Sequence, residues 1–204
     1  VLVILLVKFI SVLFLALEKL VCFLLRFFKH FNLAWISKTG LVINTILVFI
    51  MLVGILYIPN HVRVLSINLN LNGLPASFNG LRLVQISDTH FGSYEKGTEM
   101  FSAMVDSVNS LNPDIIVFTG DFVNNFANEM DSYLDVFFKL KAPLGKFAVL
   151  GNHDYSDYKK WASPAQKLKN SVKIKQNIEK MGFVLLQNQN VALVRNTDSI
   201  FLAG

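Results

Sequence analysis

Two long apolar stretches fill the first sixty residues, and short apolar runs separated by amphipathic segments fill the rest. Residues Leu41 to Ile58 form an uncharged run of eighteen that ends at Pro59. At 1.5 Å per residue such a helix rises roughly 27 Å, just enough to cross a hydrocarbon core. The pattern predicts a spanning helix. Residues 1 to 28 differ, because Lys8, Ser11, Glu18, Lys19, Cys22 and Arg26 fall on one arc when wound at 100° per residue. That stripe fits a spanning helix with its polar side toward a partner helix. The alternative is an amphipathic helix lying in the interface with its basic side toward headgroups. Arg26, Lys29 and Lys38 flank the start of the second segment, while Arg63 alone lies close to its far end. Positive charge collects on the cytoplasmic side, so residues 62–204 are expected outside the cytoplasm.

After Pro59 the periodicity changes. Residues 62–71, VRVLSINLNL, alternate apolar with polar and predict a half-buried strand. LPASFNG reads as a turn-rich connector. RLVQIS, DIIVFTG and KFAVLG are short apolar runs, each ending in Ser or Gly. Helical patterns lie between them, over Lys96 to Leu111 and Ala127 to Leu140, and a third falls near Val172 to Met181. FVLLQ, VALV and SIFLAG follow as further strand-like runs. Strands alternating with helices of that length predict crossovers and a parallel sheet. The expected division is a membrane anchor over 1–61 and an α/β domain over 62–204.

Composition supports the anchor and narrows the function. The chain is 53% hydrophobic and 16% charged, too apolar for an ordinary soluble domain. Its net charge of +5 sits mostly in the anchor, which carries +4. The domain lacks the broad cationic surface that nucleic acid requires. Cys22, the only cysteine, excludes a disulfide framework and a cysteine zinc site. Val1 already lies inside an apolar run, from which we expect upstream sequence.

In parallel sheets, chemistry gathers at the carboxyl ends of the strands. Those ends carry Asp88 and His90 in SDTHFG, Asp121 in GDFVNN, and Asn152, His153 and Asp154 in GNHDY. Carboxylate, imidazole and neutral amide together suit a hard or borderline divalent cation. Asp88 and His90, two apart in an extended segment, would point the same way and hold one ion. Asp121 on the neighbouring strand end would bridge two ions, and Asn152 would add an uncharged oxygen to the second. His153 would protonate a leaving oxygen, with Asp154 orienting its imidazole. Gly120 and Gly151 would let the backbone turn tightly beside a ligand. Each fragment alone is as often a turn or a helix cap; three in order at predicted strand ends form a specific constellation.

The order D-x-H, G-D, G-N-H-D resembles the calcineurin-like metallophosphoesterase superfamily, and FNGLRLVQISDTHFG is similar to its membrane-associated bacterial branch. The resemblance covers roughly residues 62 to 204. It implies a four-layer α/β/β/α sandwich and a dinuclear site of manganese, iron or zinc. Asp88 and His90 would bind the first metal, Asp121 would bridge, Asn152 would bind the second, and His153 would assist the leaving group. The family also uses later histidines in a Gly-His-x-His element, which this sequence does not reach. His30 and His61, the only others, lie upstream. The sandwich is therefore expected to be incomplete here and the fragment inactive, binding at most one divalent metal weakly.

The leading functional reading is hydrolysis of a phosphomonoester or phosphodiester at the membrane surface. A lipid-linked or envelope phosphate would explain the anchor. A non-catalytic scaffold of the same fold and a membrane assembly subunit acting through the first helix are the competing classes. Seven lysines between Lys159 and Lys180 are either an anion-attracting patch or a solvated helix face with Ile174, Ile178 and Met181 buried. Trp161 is either a lid or interface anchor, or simply packing.

Overall fold

The computed structural model describes residues 2–24, 34–57, 62–94 and 98–204. Arg26, Lys29, His30, His61 and Lys96 lie outside them. The chain divides into two compact units, Val1–His61 and Val62–Gly204.

The first unit pairs helix α1 (Leu2–Leu24) with helix α2 (Ala34–Tyr57). Gly40 lies against the Phe14 ring, where a Cβ would collide, so a residue without a side chain lets the two helices approach. Lys8 and Lys19 of the polar stripe are exposed and Glu18 is half-buried. Large apolar side chains are exposed on both helices, among them Phe9, Leu13, Leu41 and Phe49. Among the described residues, no helix is long and apolar enough to cross a membrane.

The second unit is built on a parallel sheet of β1 (Leu83–Ile86), β2 (Ile115–Phe118), β3 (Lys146–Ala148) and β4 (Val184–Leu185), in that spatial order. Helix α3 (Thr98–Ser110), helix α4 (Leu134–Phe138) and helix α5 (Pro164–Lys180) make the connections. Alternation along β2 divides the core in two. Ile116 and Phe118 join Val105, Phe137 and Ile178 on the helical side. Ile115 packs on the other side with Phe78, Phe147, Leu186 and Leu193. Leu193 belongs to an antiparallel hairpin, β5 (Asn190–Arg195) and β6 (Asp198–Ala203). Its inward residues Val191, Leu193, Ile200 and Leu202 cover that face. The layers are thus helix, parallel sheet and hairpin, three of the four expected.

Three expectations change. Residues 62–71 form no strand, and Leu65, Ile67 and Leu69 are more than 70% exposed; alternation marks a strand-like sequence, but a strand needs a partner ladder. The helix over Ala127 to Leu140 is broken into a 3-10 turn, Ala127–Met130, and the short α4. Glu129 turns back to accept from the backbone N–H groups of Asn125 and Phe126, while Asn170 and Asn177 take the N–H and C=O of Ala127. Those polar partners replace the helical ladder. The third helix starts earlier than Val172, where Ser163 caps the N-H of Gln166 and Pro164 takes the first turn. Its buried face holds Ile174 and Ile178, and Lys167 and Lys173 pair with Asp157 and Asp131. That is a solvated helix face.

Candidate metal centre

The loops that follow β1 and β2 are held together by their backbones. Thr119 N–H donates to Ile86 C=O at 3.0 Å, Asp88 N–H to Gly120 C=O at 3.0 Å, and His90 N–H to Asp121 C=O at 3.1 Å. The pairing carries the Asp88–His90 segment alongside Asp121. Asp88, His90 and Asp121 all adopt positive φ, at 55°, 42° and 61°. Left-handed backbone is costly for residues with a Cβ and concentrates at functional sites. Asp88 and His90 therefore come together through tight turns and not through the extended segment expected from their spacing.

The glycines are required for a definite reason. A Cβ on Gly120, which has φ of 98°, would strike the backbone of Gly151. A Cβ on Gly151 would strike the Asp121 carboxylate. The loops after β2 and β3 meet only because neither residue has a side chain.

The geometry brings most of the candidate ligands to one place. His90 Nε2 lies 3.9 Å from Asp88 Oδ1 and 3.8 Å from Asp121 Oδ2. His90, Asp121 and His153 each present a ligand atom within 4.8 Å of the other two. The His90 and His153 rings meet edge to face with centroids 4.7 Å apart. The Asp88 side chain is 64% exposed and that of Asp121 only 12%, so the cluster forms a rim open on the Asp88 side. His90 Nδ1 is buried without a hydrogen-bond partner among the described residues, while Nε2 faces two carboxylates. Two carboxylates and an imidazole at these separations suit a divalent cation.

His153 is set by contacts that sequence reasoning missed. Its backbone N–H donates to Asp121 Oδ1 at 2.9 Å. Its Nδ1 lies 2.9 Å from the carbonyl of Asn124, an acceptor only, so Nδ1 carries a proton and Nε2 is the ring nitrogen left for other partners. The Asn152 amide nitrogen donates to the Tyr158 hydroxyl at 2.8 Å.

Asp154 does not orient that imidazole. Its carboxylate is buried and accepts four backbone N–H groups: Oδ2 from Asp121 and Gly151, both at 2.9 Å, and Oδ1 from Phe122 at 2.9 Å and Val123 at 3.2 Å. A short acidic side chain one residue past His153 reaches the facing loop more readily than it turns back to the ring. Asp154 therefore clamps the loops after β2 and β3 and fixes the backbone of Asp121. Burial pushes its carboxyl up to about 6, against the pull of the N–H donors. Trp161 is packing, its indole N–H on the Ser156 carbonyl at 2.8 Å and its ring against Phe126.

A parallel sheet whose strand ends bring Asp88, His90, Asp121 and His153 together defines a protein with a candidate metal site, and comparison with known proteins identifies its family. Residues 81–202 match the calcineurin-like phosphoesterase family, and the chain belongs to it. It is 46% identical over 101 residues to the UDP-2,3-diacylglucosamine pyrophosphatase LpxG of Chlamydia trachomatis, covering 49% of this chain and 30% of the relative. It is 31% identical over 147 residues to the transmembrane protein with metallophosphoesterase domain of Danio rerio, covering 70% of this chain and 30% of the relative. A third relative, the uncharacterized metallophosphoesterase YkuE of Bacillus subtilis, is 36% identical over 87 residues, which is 42% of this chain and 30% of the relative. The matched stretch thus spans less than a third of these curated relatives. No solved structure matches.

Proposed function

We propose that this chain supplies part of a dinuclear phosphoester hydrolase that works at a membrane surface. The observation that carries the reading is His90 Nε2 within 4 Å of carboxylates from two loops, Asp88 and Asp121. Asp88, His90 and Asp121 would hold one divalent cation, with Asp121 and Asn152 serving a second. Bound divalent cations supply charge against the phosphate and lower the pKa of water. The chain's own residues do the rest. The Asn124 carbonyl holds the Nδ1 proton of His153, so the proton given to the leaving oxygen would be a second one that the ring takes up at Nε2. The Asp154 clamp holds the backbone of Asp121 and Gly151, so that a cation held by Asp121 and a proton donor at His153 would face the same phosphate.

The likeness to a UDP-2,3-diacylglucosamine pyrophosphatase supports a phosphoester substrate carrying acyl chains. The exposed apolar faces of α1 and α2 and the uncharged run over 41–58 support an anchor that limits search to the bilayer plane. The basic residues at 26, 29 and 38 favour an extracytoplasmic domain; a reporter active only in the cytoplasm, fused after residue 62 in the native host, should stay silent, and its signal would reverse the topology. The activity is tested in the full-length protein by manganese-dependent hydrolysis of an aryl phosphate. Asp121→Asn keeps the side chain's shape but removes the shared charge, and should abolish most of the activity while the fold survives. Undiminished activity in that variant would end the proposal.

A further inference from the structure

We infer that Tyr158 is a positioning residue of this site, holding Asn152 with its hydroxyl and His153 with its ring; the inference deepens the phosphoesterase reading and rests on it. The Asn152 amide nitrogen donates to Tyr158 Oη at 2.8 Å. The same tyrosine ring stacks on the His153 imidazole, with centroids 4.6 Å apart and planes 27° apart. One side chain thus touches two of the three polar side chains of the GNHD turn. With the amide nitrogen engaged by this hydroxyl, the amide oxygen is the atom of Asn152 left to reach a cation. Its ring presses on His153 on one side while the Asn124 carbonyl holds Nδ1 on another, so that the imidazole is confined by both.

The loop behind Tyr158 is tied down on every side. Ser156 is fully buried at φ of 59°. Its hydroxyl donates to the Asn125 carbonyl at 2.8 Å and accepts from Asn170 Nδ2 at 2.9 Å, while its carbonyl accepts from Trp161. Asp157 pairs with Lys167 of α5. Yet Tyr158 itself is 66% exposed. The exposed ring is thus carried on a fixed loop and rests on His153. Partners of a metal-site side chain commonly govern affinity or turnover by ~10–100-fold.

The full-length protein is compared with Tyr158→Phe and Tyr158→Leu, using manganese titration, kcat and KM on an aryl phosphate, thermal midpoint, and the Asn152 side-chain NH2 resonances. Tyr158→Phe keeps the stack and loses the hydroxyl. We expect a shifted Asn152 resonance and roughly tenfold weaker binding of manganese, with the thermal midpoint unchanged because the ring is exposed. Tyr158→Leu should lower kcat by a further factor of about ten through loss of the stack, with KM little changed. Phe restoring the part of kcat that Leu loses would separate the ring's role from the hydroxyl's. Wild-type manganese affinity and an unmoved Asn152 resonance in Tyr158→Phe would overturn the inference. If the wild-type protein binds manganese but cleaves nothing, the phosphoesterase reading fails, while affinity and resonance still decide the role of Tyr158.

Discussion

Replacing Asp154 by Asn tests the loop clamp with almost no change in shape. In the folded chain the carboxylate accepts four backbone N–H groups, two on each oxygen. An amide offers one oxygen and turns its NH2 toward the other two donors, so two buried N–H groups lose their acceptor. Each orphaned donor costs about 1–3 kcal/mol, which puts the gross loss at about 2–6 kcal/mol. Removing a buried ion offsets part of this, since burial pushes the acid up to about 6 from its ordinary 3.8. A folded pKa above the unfolded one means that this group's contribution falls as pH rises from 3.8 to about 6 and is constant above that. A comparison at pH 7.5 therefore stays clear of its titration. We expect Asp154→Asn to lose about 2–4 kcal/mol there, a large part of the ~5–15 kcal/mol that holds a domain folded. Urea unfolding followed by circular dichroism measures it. The clamp also holds the Asp121 backbone, so manganese affinity should fall with stability. A loss below about 0.5 kcal/mol, the range of an ordinary surface substitution, would mean that Asp154 is no clamp.

His153→Ala should keep manganese affinity within a few-fold and lose turnover by about 10²–10⁴, most severely with poor leaving groups; parallel loss of metal in His153→Ala and Asp121→Asn would instead make His153 a ligand. Lys146 gives a pH signature away from the site. Its ammonium donates to the carbonyls of Phe137, Phe138 and Met181, and desolvation by burial pulls it down to about 8 from 10.5. Between those values the unfolded chain binds the extra proton, so wild-type stability should rise relative to Lys146→Met from pH 8 toward pH 10.5. Urea midpoints that run parallel for the two proteins across that interval would contradict it.

The parts of this fold that sequence made legible are those where local pattern and tertiary need agree. RLVQIS, DIIVFTG and KFAVLG became β1, β2 and β3 because parallel strands bury both faces and so read as continuous apolar runs. The convergence of Asp88, His90 and Asp121 followed from strand ends on one rim. Their left-handed backbone did not, because it arises from the pairing of one loop with the next. Asp154 was misassigned for a similar reason: its acceptor role depends on N–H groups about thirty residues away in sequence. The start of α5 was available as Ser163–Pro164, a cap and a first-turn proline. Residues 62–71 carry the alternation of a strand without the ladder that would make one, and pattern alone cannot supply a partner. Tyr158 and Asn124 had no signal at all, since each acts through a contact made only on folding.

Anomalous scattering from a crystal of the protein grown with manganese would locate the metal itself. We expect a peak bounded by Asp88, His90 and Asp121, at ligand distances of about 2.0–2.4 Å, that disappears in Asp121→Asn. A second peak shared between Asp121 and Asn152 would complete the dinuclear site. Manganese bound elsewhere, with the His90–Asp121 rim empty at saturating metal, would contradict it.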